Sequence, residues 1–192
     1  MQITIAIEDT NRYDVFAKTF SNVEEIVVVH KSIFDIKGMF DAIVSPANSF
    51  GIMDGGIDKI YIQEMGILVE KNAQKMIKNS KFQGELPIGE ALSVETGIKQ
   101  YKNMIIAPTM RIPEDVSNTI NAYTAFRATL IEASLQGYST LITPTFCTGI
   151  GKMPSYKSAT QMYMAHRILQ RKKDYTYEEI HRIHKILKSG EF

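Results

Sequence analysis

The sequence is short of everything that would staple, anchor or strongly polarise a protein. Its one cysteine, Cys147, forbids an intramolecular disulfide. Lys and Arg number 22 against 21 Asp and Glu, a formal net charge of +1, so the cationic excess that phosphate-backbone contacts demand is missing and a dedicated nucleic-acid partner is not expected. No run approaches the roughly 20 apolar residues of a membrane-crossing helix. The start, Met1-Gln2-Ile3-Thr4 with Glu8 and Asp9 close behind, has neither the basic opening nor the apolar stretch of a secretory leader. These absences set the expectation of a reduced, cytoplasmic protein with no membrane partner.

What is present is 192 residues, 44% of them hydrophobic. A chain of this length buries on the order of 70% of its unfolded surface, so one domain over residues 1–192 needs no metal or disulfide to hold it. One local asymmetry stands out. From Arg167 to Phe192 there are seven Lys and Arg against four Asp and Glu, which reads as a solvated helical face or as a weak polyanion contact.

Strand-like and helix-like segments alternate from end to end, the pattern of an α/β layer structure with a parallel or mixed sheet. Ile3 to Ile7 is a short β-branched run, and Asp9-Thr10-Asn11 after it can turn and cap a helix through Phe16 and Phe20. Ile26-Val27-Val28-Val29 and Ala42-Ile43-Val44 are continuous apolar runs suited to strands covered on both faces. Short strands are expected at Ala91 to Glu95, at Met104 to Ala107 and around Leu141-Ile142. Helices are expected up to Met65, where Gly66 interrupts, then on to Asn79, and from Ser117 to Gln136, Ser155 to Lys172 and Thr176 to Lys188.

Two loops follow buried strands, the position where open α/β sheets bind ligands. The first runs Ser45-Pro46-Ala47-Asn48-Ser49 through Asp54-Gly55-Gly56-Ile57-Asp58 into a helix, and the second runs Pro144-Thr145-Phe146-Cys147-Thr148-Gly149-Ile150-Gly151-Lys152. Glycines let backbone amides approach a phosphate, and a helix N-terminus adds partial positive charge. Glycine also serves ordinary turns. Neither loop is a Walker P-loop or a dinucleotide fingerprint.

The residues of these loops carry a family resemblance. Asp41-Ala42-Ile43-Val44-Ser45-Pro46-Ala47-Asn48-Ser49 followed by Asp54-Gly55-Gly56-Ile57-Asp58 resembles the macro domain signature, in which D-A-I-V-N-A-A-N-S precedes a G-G-G-[VI]-D turn. Cys147-Thr148-Gly149-Ile150-Gly151 resembles that family's S-T-G-I-[YF]-G loop, and Pro87-Ile88-Gly89-Glu90-Ala91 its P-x-G-E-A step. Three motifs in the right order are far more specific than one.

The resemblance implies a three-layer αβα domain with a mixed sheet flanked by helices. Its core would span roughly 25–170, with an added N-terminal strand and helix and an added C-terminal helix. It implies a cleft for a small-molecule nucleotide, ADP-ribose or a related NAD-derived compound, with no cofactor and no metal. By position, Ala47 and Asn48 would line the distal ribose, Gly55, Gly56 and Ile57 the first diphosphate loop, and Thr148, Gly149, Ile150 and Gly151 the second. Ser32 and Ile33 fall at the adenine. Asp58 matches the acid that positions or activates water in hydrolytic members, which with Asn48 makes the catalytic pair. The activity implied is hydrolysis of an ADP-ribosyl linkage or of ADP-ribose 1″-phosphate, and the alternative is a non-catalytic ADP-ribose-binding module.

Each residue also has a plainer reading. An aspartate after Gly-Gly is an ordinary first-turn residue, and an asparagine in a loop bonds its own backbone. Cys147 has no histidine near it in sequence to make it a nucleophile, and His181 and His184, spaced i,i+3, lack the further ligands of a zinc site. Arg111 reads as a salt-bridged surface residue or as a phosphate ligand.

Three departures from the family pattern bear on ligand choice. Lys31-Ser32-Ile33 stands where Gly-Asp-Ile is common, replacing a charged acceptor for adenine with a hydroxyl. Gly151 stands where an aromatic closes the phosphate loop. Asp54 stands where many members have glycine, and a pairing with Asp58 about one helical turn away would raise one pKa.

Overall fold

Ala42-Ile43-Val44 forms a strand buried on both faces, as a run apolar on both sides requires, whereas Ile26-Val27-Val28-Val29, expected to be covered likewise, lies at the sheet edge with Val27 exposed. The computed structural model describes residues 1–171 and 174–191. The order is β1 (Gln2–Ala6), α1 (Thr10–Thr19), β2 (Ile26–Val29), a 3₁₀ turn (Ile33–Asp35), β3 (Phe40–Ser45), α2 (Gly56–Met65) and α3 (Leu68–Asn79). Then follow β4 (Leu92–Ile98), β5 (Tyr101–Ile106), α4 (Asn121–Leu135), β6 (Thr140–Thr143), α5 (Ser155–Arg171) and α6 (Tyr177–Ser189).

The six strands lie in the order β2-β1-β6-β3-β5-β4. All neighbours are parallel except β4, which pairs antiparallel with β5, so the sheet is mixed. Alternate residues of each strand feed opposite faces. In β3, Ala42 and Val44 join Phe16 and Phe20 of α1, Phe126 and Leu130 of α4 and Met162 of α5. Ile43 joins Tyr61 and Met65 of α2 and Val69, Ala73 and Ile77 of α3 on the other side. That is the three-layer αβα arrangement.

Most helix ends follow the local chemistry. Asp9 caps α1 through Arg12 N, 2.7 Å from its Oδ1, and Gly66 ends α2 at φ +87°. Thr176 and Glu179 form a reciprocal capping box on α6. Two placements differ from expectation. The helix read from Ser117 begins at Asn121, because residues 117–120 are held in turns by Thr119, whose Oγ1 donates to Val116 O. The N-terminal strand, expected as an addition, lies inside the sheet between β2 and β6. Part of the basic stretch, Lys172 and Lys173, and Phe192 lie outside the described residues, as does the expected helix end at Lys172. Among the described residues no helix is long and apolar enough to cross a membrane.

Asp41 ties β3 to the start of β6. Its Oδ2 accepts from Ser139 N (2.9 Å), Thr140 N (3.1 Å) and Thr140 Oγ1 (3.1 Å). The Ser139 amide above all holds the carboxyl below its ordinary value, joined by Thr140 and the Lys102 ammonium. A depressed acid contributes stability above its unfolded pKa and loses it as pH falls through the folded one. Asp41→Ala should therefore destabilise the fold by about 1–2 kcal/mol at pH 7. In chemical denaturation the gap should hold from neutral pH down to the ordinary carboxylate range and shrink below it.

Candidate functional site

Parallel strands bring their carboxyl ends to one edge, and there the chain leaves a cleft of about 350 Å³. Every residue that the resemblance assigned to the nucleotide lines it: Ser32 and Ile33, Ala47 and Asn48, Gly55, Gly56, Ile57 and Asp58, and Thr148, Gly149, Ile150 and Gly151; Arg111, His181 and His184 do not. The cleft also takes residues that were not singled out, chiefly Arg12 with Glu8 and Asp9 after β1, and Thr109 and Met110 after β5. A signal for the first group was available, since β1 is itself a β-branched run leading through a polar turn into a helix.

The first loop is held from beneath by its own polar groups. Thr109 N donates to Ala47 O (2.9 Å), Ser49 N to Arg111 O (3.2 Å) and Leu86 N to Ser49 O (2.8 Å), so the chain after β3 continues to be gripped on both sides. Asn48 Oδ1 accepts from Phe50 N (3.1 Å) and Ile52 N (3.2 Å), and its Nδ2 donates to Ile52 O (2.6 Å). The side chain thus spends most of its capacity on the loop, leaving one Nδ2 hydrogen. Gly55 is the extended N-cap of α2, and Gly56 opens the helix at φ +57°, a conformation that favours glycine. Among the described residues, the amides of Gly56, Ile57 and Asp58 donate to no backbone carbonyl, the first such bond from the helix being Lys59 N to Gly55 O.

The second loop presents a similar row. Among the described residues the amides of Thr148, Gly149, Ile150 and Gly151 make no backbone bond, while Met153 N closes the turn onto Cys147 O (2.9 Å). Ile150 reaches across to the first loop, its Cδ1 3.5 Å from where a Cβ on either Gly55 or Gly56 would stand. Two sets of amides free of backbone bonds therefore belong to residues lining one cleft, and such amides can hold an anion without side-chain charge. Gly151 has a steric reason for its identity. A Cβ there would lie 2.7 Å from both Cys147 O and Val116 Cγ2, so Val116 fills the space that the family's aromatic would need.

Asp58 is buried at the base of the first loop, where Ser45 Oγ, at the end of β3, donates to its Oδ1 at 2.6 Å. Burial, opposed by that hydrogen bond and aided by the Glu70 carboxylate, pushes its pKa up from 3.8 to about 7. The cause is desolvation, and Asp54, exposed at the rim, has no part in it. Cys147 is also buried, its thiol pushed up to about 12, so almost none of it is a nucleophilic thiolate at neutral pH. Arg111 points away from the cleft into a two-point contact with Glu85 (2.7 and 3.1 Å). His181 packs edge-on against Tyr177 on the exposed face of α6, with ring centroids 4.4 Å apart.

A carboxyl whose folded pKa is raised keeps a proton that the unfolded chain has already released, so stability falls with pH between the two values. For Asp58 that window runs from 3.8 to about 7. Asp58→Asn keeps an acceptor for Ser45 without the charge, and should gain on the order of 2–4 kcal/mol over the native protein at pH 8 while matching it near pH 4. Denaturation midpoints across that range check it.

Comparison with known proteins places this geometry. A family model, the Macro domain, matches residues 44–162, from the end of β3 to the middle of α5. An uncharacterized protein of Aquifex aeolicus is 31% identical over 138 residues, 72% of this chain and 78% of the relative. One of Aeropyrum pernix is 31% identical over 132 residues, 69% and 66% of the two chains. Among solved structures, a mutant of the Oceanobacillus iheyensis macrodomain with ADPR superposes with a TM-score of 0.61 at 18% identity, over 80% of this chain and 87% of that one. The macrodomain of Mycobacterium tuberculosis DarG gives 0.58 at 19% identity, over 69% and 85%. These structural likenesses bear on the fold alone. With the family model covering more than half of its length, the chain belongs to the Macro domain family, which is known for binding ADP-ribose.

Proposed function

We propose that this protein binds ADP-ribose or a closely related NAD-derived nucleotide and hydrolyses an ADP-ribosyl linkage, or the phosphate of ADP-ribose 1″-phosphate, in the cytoplasm. The observation that carries the reading is the pair of facing loops whose free amides flank a buried carboxyl with a pKa of about 7. The diphosphate lies between Gly55-Gly56-Ile57 and Thr148-Gly149-Ile150, neutralised by amides and the N-terminus of α2. The distal ribose reaches Asn48 and Asp58. Near neutrality Asp58 is divided between its two forms, the condition in which a carboxylate serves as general base toward a water.

The second reading, a non-catalytic module, draws on a specific feature of the same residues. Asn48 and Asp58 both have structural bonds, to the loop and to Ser45, which would account for them without any reaction. Both readings share the nucleotide.

ADP-ribose at a hundredfold excess over its dissociation constant should stabilise the protein by about 2.7 kcal/mol, read as a rise in melting temperature. Gly55→Glu should abolish that rise and leave the unliganded melting temperature near its original value, since Gly55 is extended and a Cβ meets only Ile150 at 3.5 Å. Turnover of ADP-ribosylated protein or ADP-ribose 1″-phosphate should increase as pH rises through about 7 and disappear in Asp58→Asn with binding retained. Binding without turnover on either substrate would leave the module reading.

A further inference from the structure

The cleft has a chemical polarity that the ADP-ribose reading leaves unused. Its lining follows the strand order. Ser32 and Ile33 follow β2, Arg12 follows β1, the second loop follows β6 and the first loop follows β3. Strands are spaced about 4.8 Å apart. A nucleotide with adenine at Ser32 and diphosphate between the two loops therefore sets its adenosine ribose over the end of β1, beside Arg12.

Arg12 is an unusual residue to find there. Among the described residues its Nε is shut off from solvent with no hydrogen-bond partner, and no carboxylate stands within salt-bridge distance of it or of Lys31, the other cation lining that end. Asp9 is occupied, its Oδ1 accepting from Arg12 N as the cap of α1, and Glu8 lies exposed at the rim. The turn carrying Arg12 is fixed to the exit of β2: His30 Nε2 bonds Glu8 O at 2.9 Å, and the His30 ring stacks on Tyr13 at 4.8 Å. With Nε closed to solvent, it is the terminal N–H groups of this cleft-lining, unbridged guanidinium that a ligand meets, and such a planar fork suits a phosphate monoester.

We infer that the β1–β2 end of the cleft takes a phosphate on the adenosine ribose, so that the preferred ligand is 2′-phospho-ADP-ribose, the nucleotide derived from NADP rather than from NAD. The inference rests on the ADP-ribose reading and narrows it to a substrate class. Arg12 supplies the planar donors, Lys31 a second charge at the rim, and a hydroxyl at Ser32 in place of a carboxylate removes a negative charge from beside that phosphate. In open α/β sheets that bind dinucleotides, an acidic residue at the ribose hydroxyl suits the unphosphorylated form and an arginine the 2′-phosphate, and the same electrostatic logic applies here.

Titration calorimetry with ADP-ribose and 2′-phospho-ADP-ribose tests it. The native protein should bind the phosphorylated ligand at least about tenfold more tightly, with the advantage shrinking as salt rises. Arg12→Ala should erase that advantage, weakening 2′-phospho-ADP-ribose about tenfold more than it weakens ADP-ribose. Arg12→Lys should restore part of it, and Lys31→Ala, at an exposed position, should reduce it without touching the fold. Equal or tighter binding of ADP-ribose by the native protein would overturn the inference and leave the ADP-ribose reading standing, as would an Arg12→Ala variant that weakens both ligands alike. Binding of neither ligand would overturn both.

Discussion

The rest of the structure depends on parallel strands that end together. Five of the six strands run the same way, and their exits from β2, β1, β6, β3 and β5 all open on one edge. A chain with a net charge of +1 carries no excess of cations to neutralise a nucleotide diphosphate, so under the proposed function most of that work falls to backbone dipoles. Those are available only where the chain leaves its sheet partners and has not yet entered a helix ladder. Asp41 matters in this light because it fixes β3 against β6, the two neighbours whose exits become the facing loops.

Asp58 illustrates the tension between holding that edge together and using it. A buried carboxyl with one hydroxyl partner opposes folding as it ionises, and Ser45 relieves this only in part. The same burial moves its titration into the neutral range, where a proton acceptor is most useful. It also removes a full negative charge from beneath the phosphates whenever the proton is on. A carboxylate at the usual acid pKa would repel the ligand at every physiological pH. Asn48, by contrast, contributes chiefly by shaping: its two bonds from the 50–52 amides give the loop its curl.

Much of this was legible in the sequence, for identifiable reasons. Continuous β-branched runs mark strands, and Pro46 after β3, Gly66 after α2 and Gly137 after α4 mark element ends through local sterics, which survive without tertiary context. The two glycine loops were legible because strand-to-helix turns are where α/β sheets bind ligands, and because their residues match a family pattern in order. What was hidden depends on neighbours distant in sequence. The central place of β1 follows from its pairing with Thr140 to Thr143, more than 130 residues away, and no periodicity encodes a partner. Gly151 looked like the loss of an aromatic, whereas Val116 and the Cys147 carbonyl leave no room for any side chain. A raised pKa on one of Asp54 and Asp58 was expected from their pairing; it falls on Asp58 and comes instead from burial and Glu70.

The cleft that results is asymmetric along the strand order, with Arg12 and Lys31 beside Glu8 and Asp9 at the β1–β2 end and the raised carboxyl of Asp58 at the β3 end. In the proposed binding mode the two ends are joined by the diphosphate, which lies between the two loops that Ile150 bridges. Contacts at the β1 end hold a part of the ligand that any reaction at Asp58 leaves unchanged, so they act on ground state and transition state alike and tune affinity rather than rate. At the β3 end the charge of Asp58 changes with pH near neutrality. If both proposals hold, discrimination among nucleotides and the capacity for chemistry are set by different residues after different strands, and sequence changes after β1 would alter the first without disturbing the second.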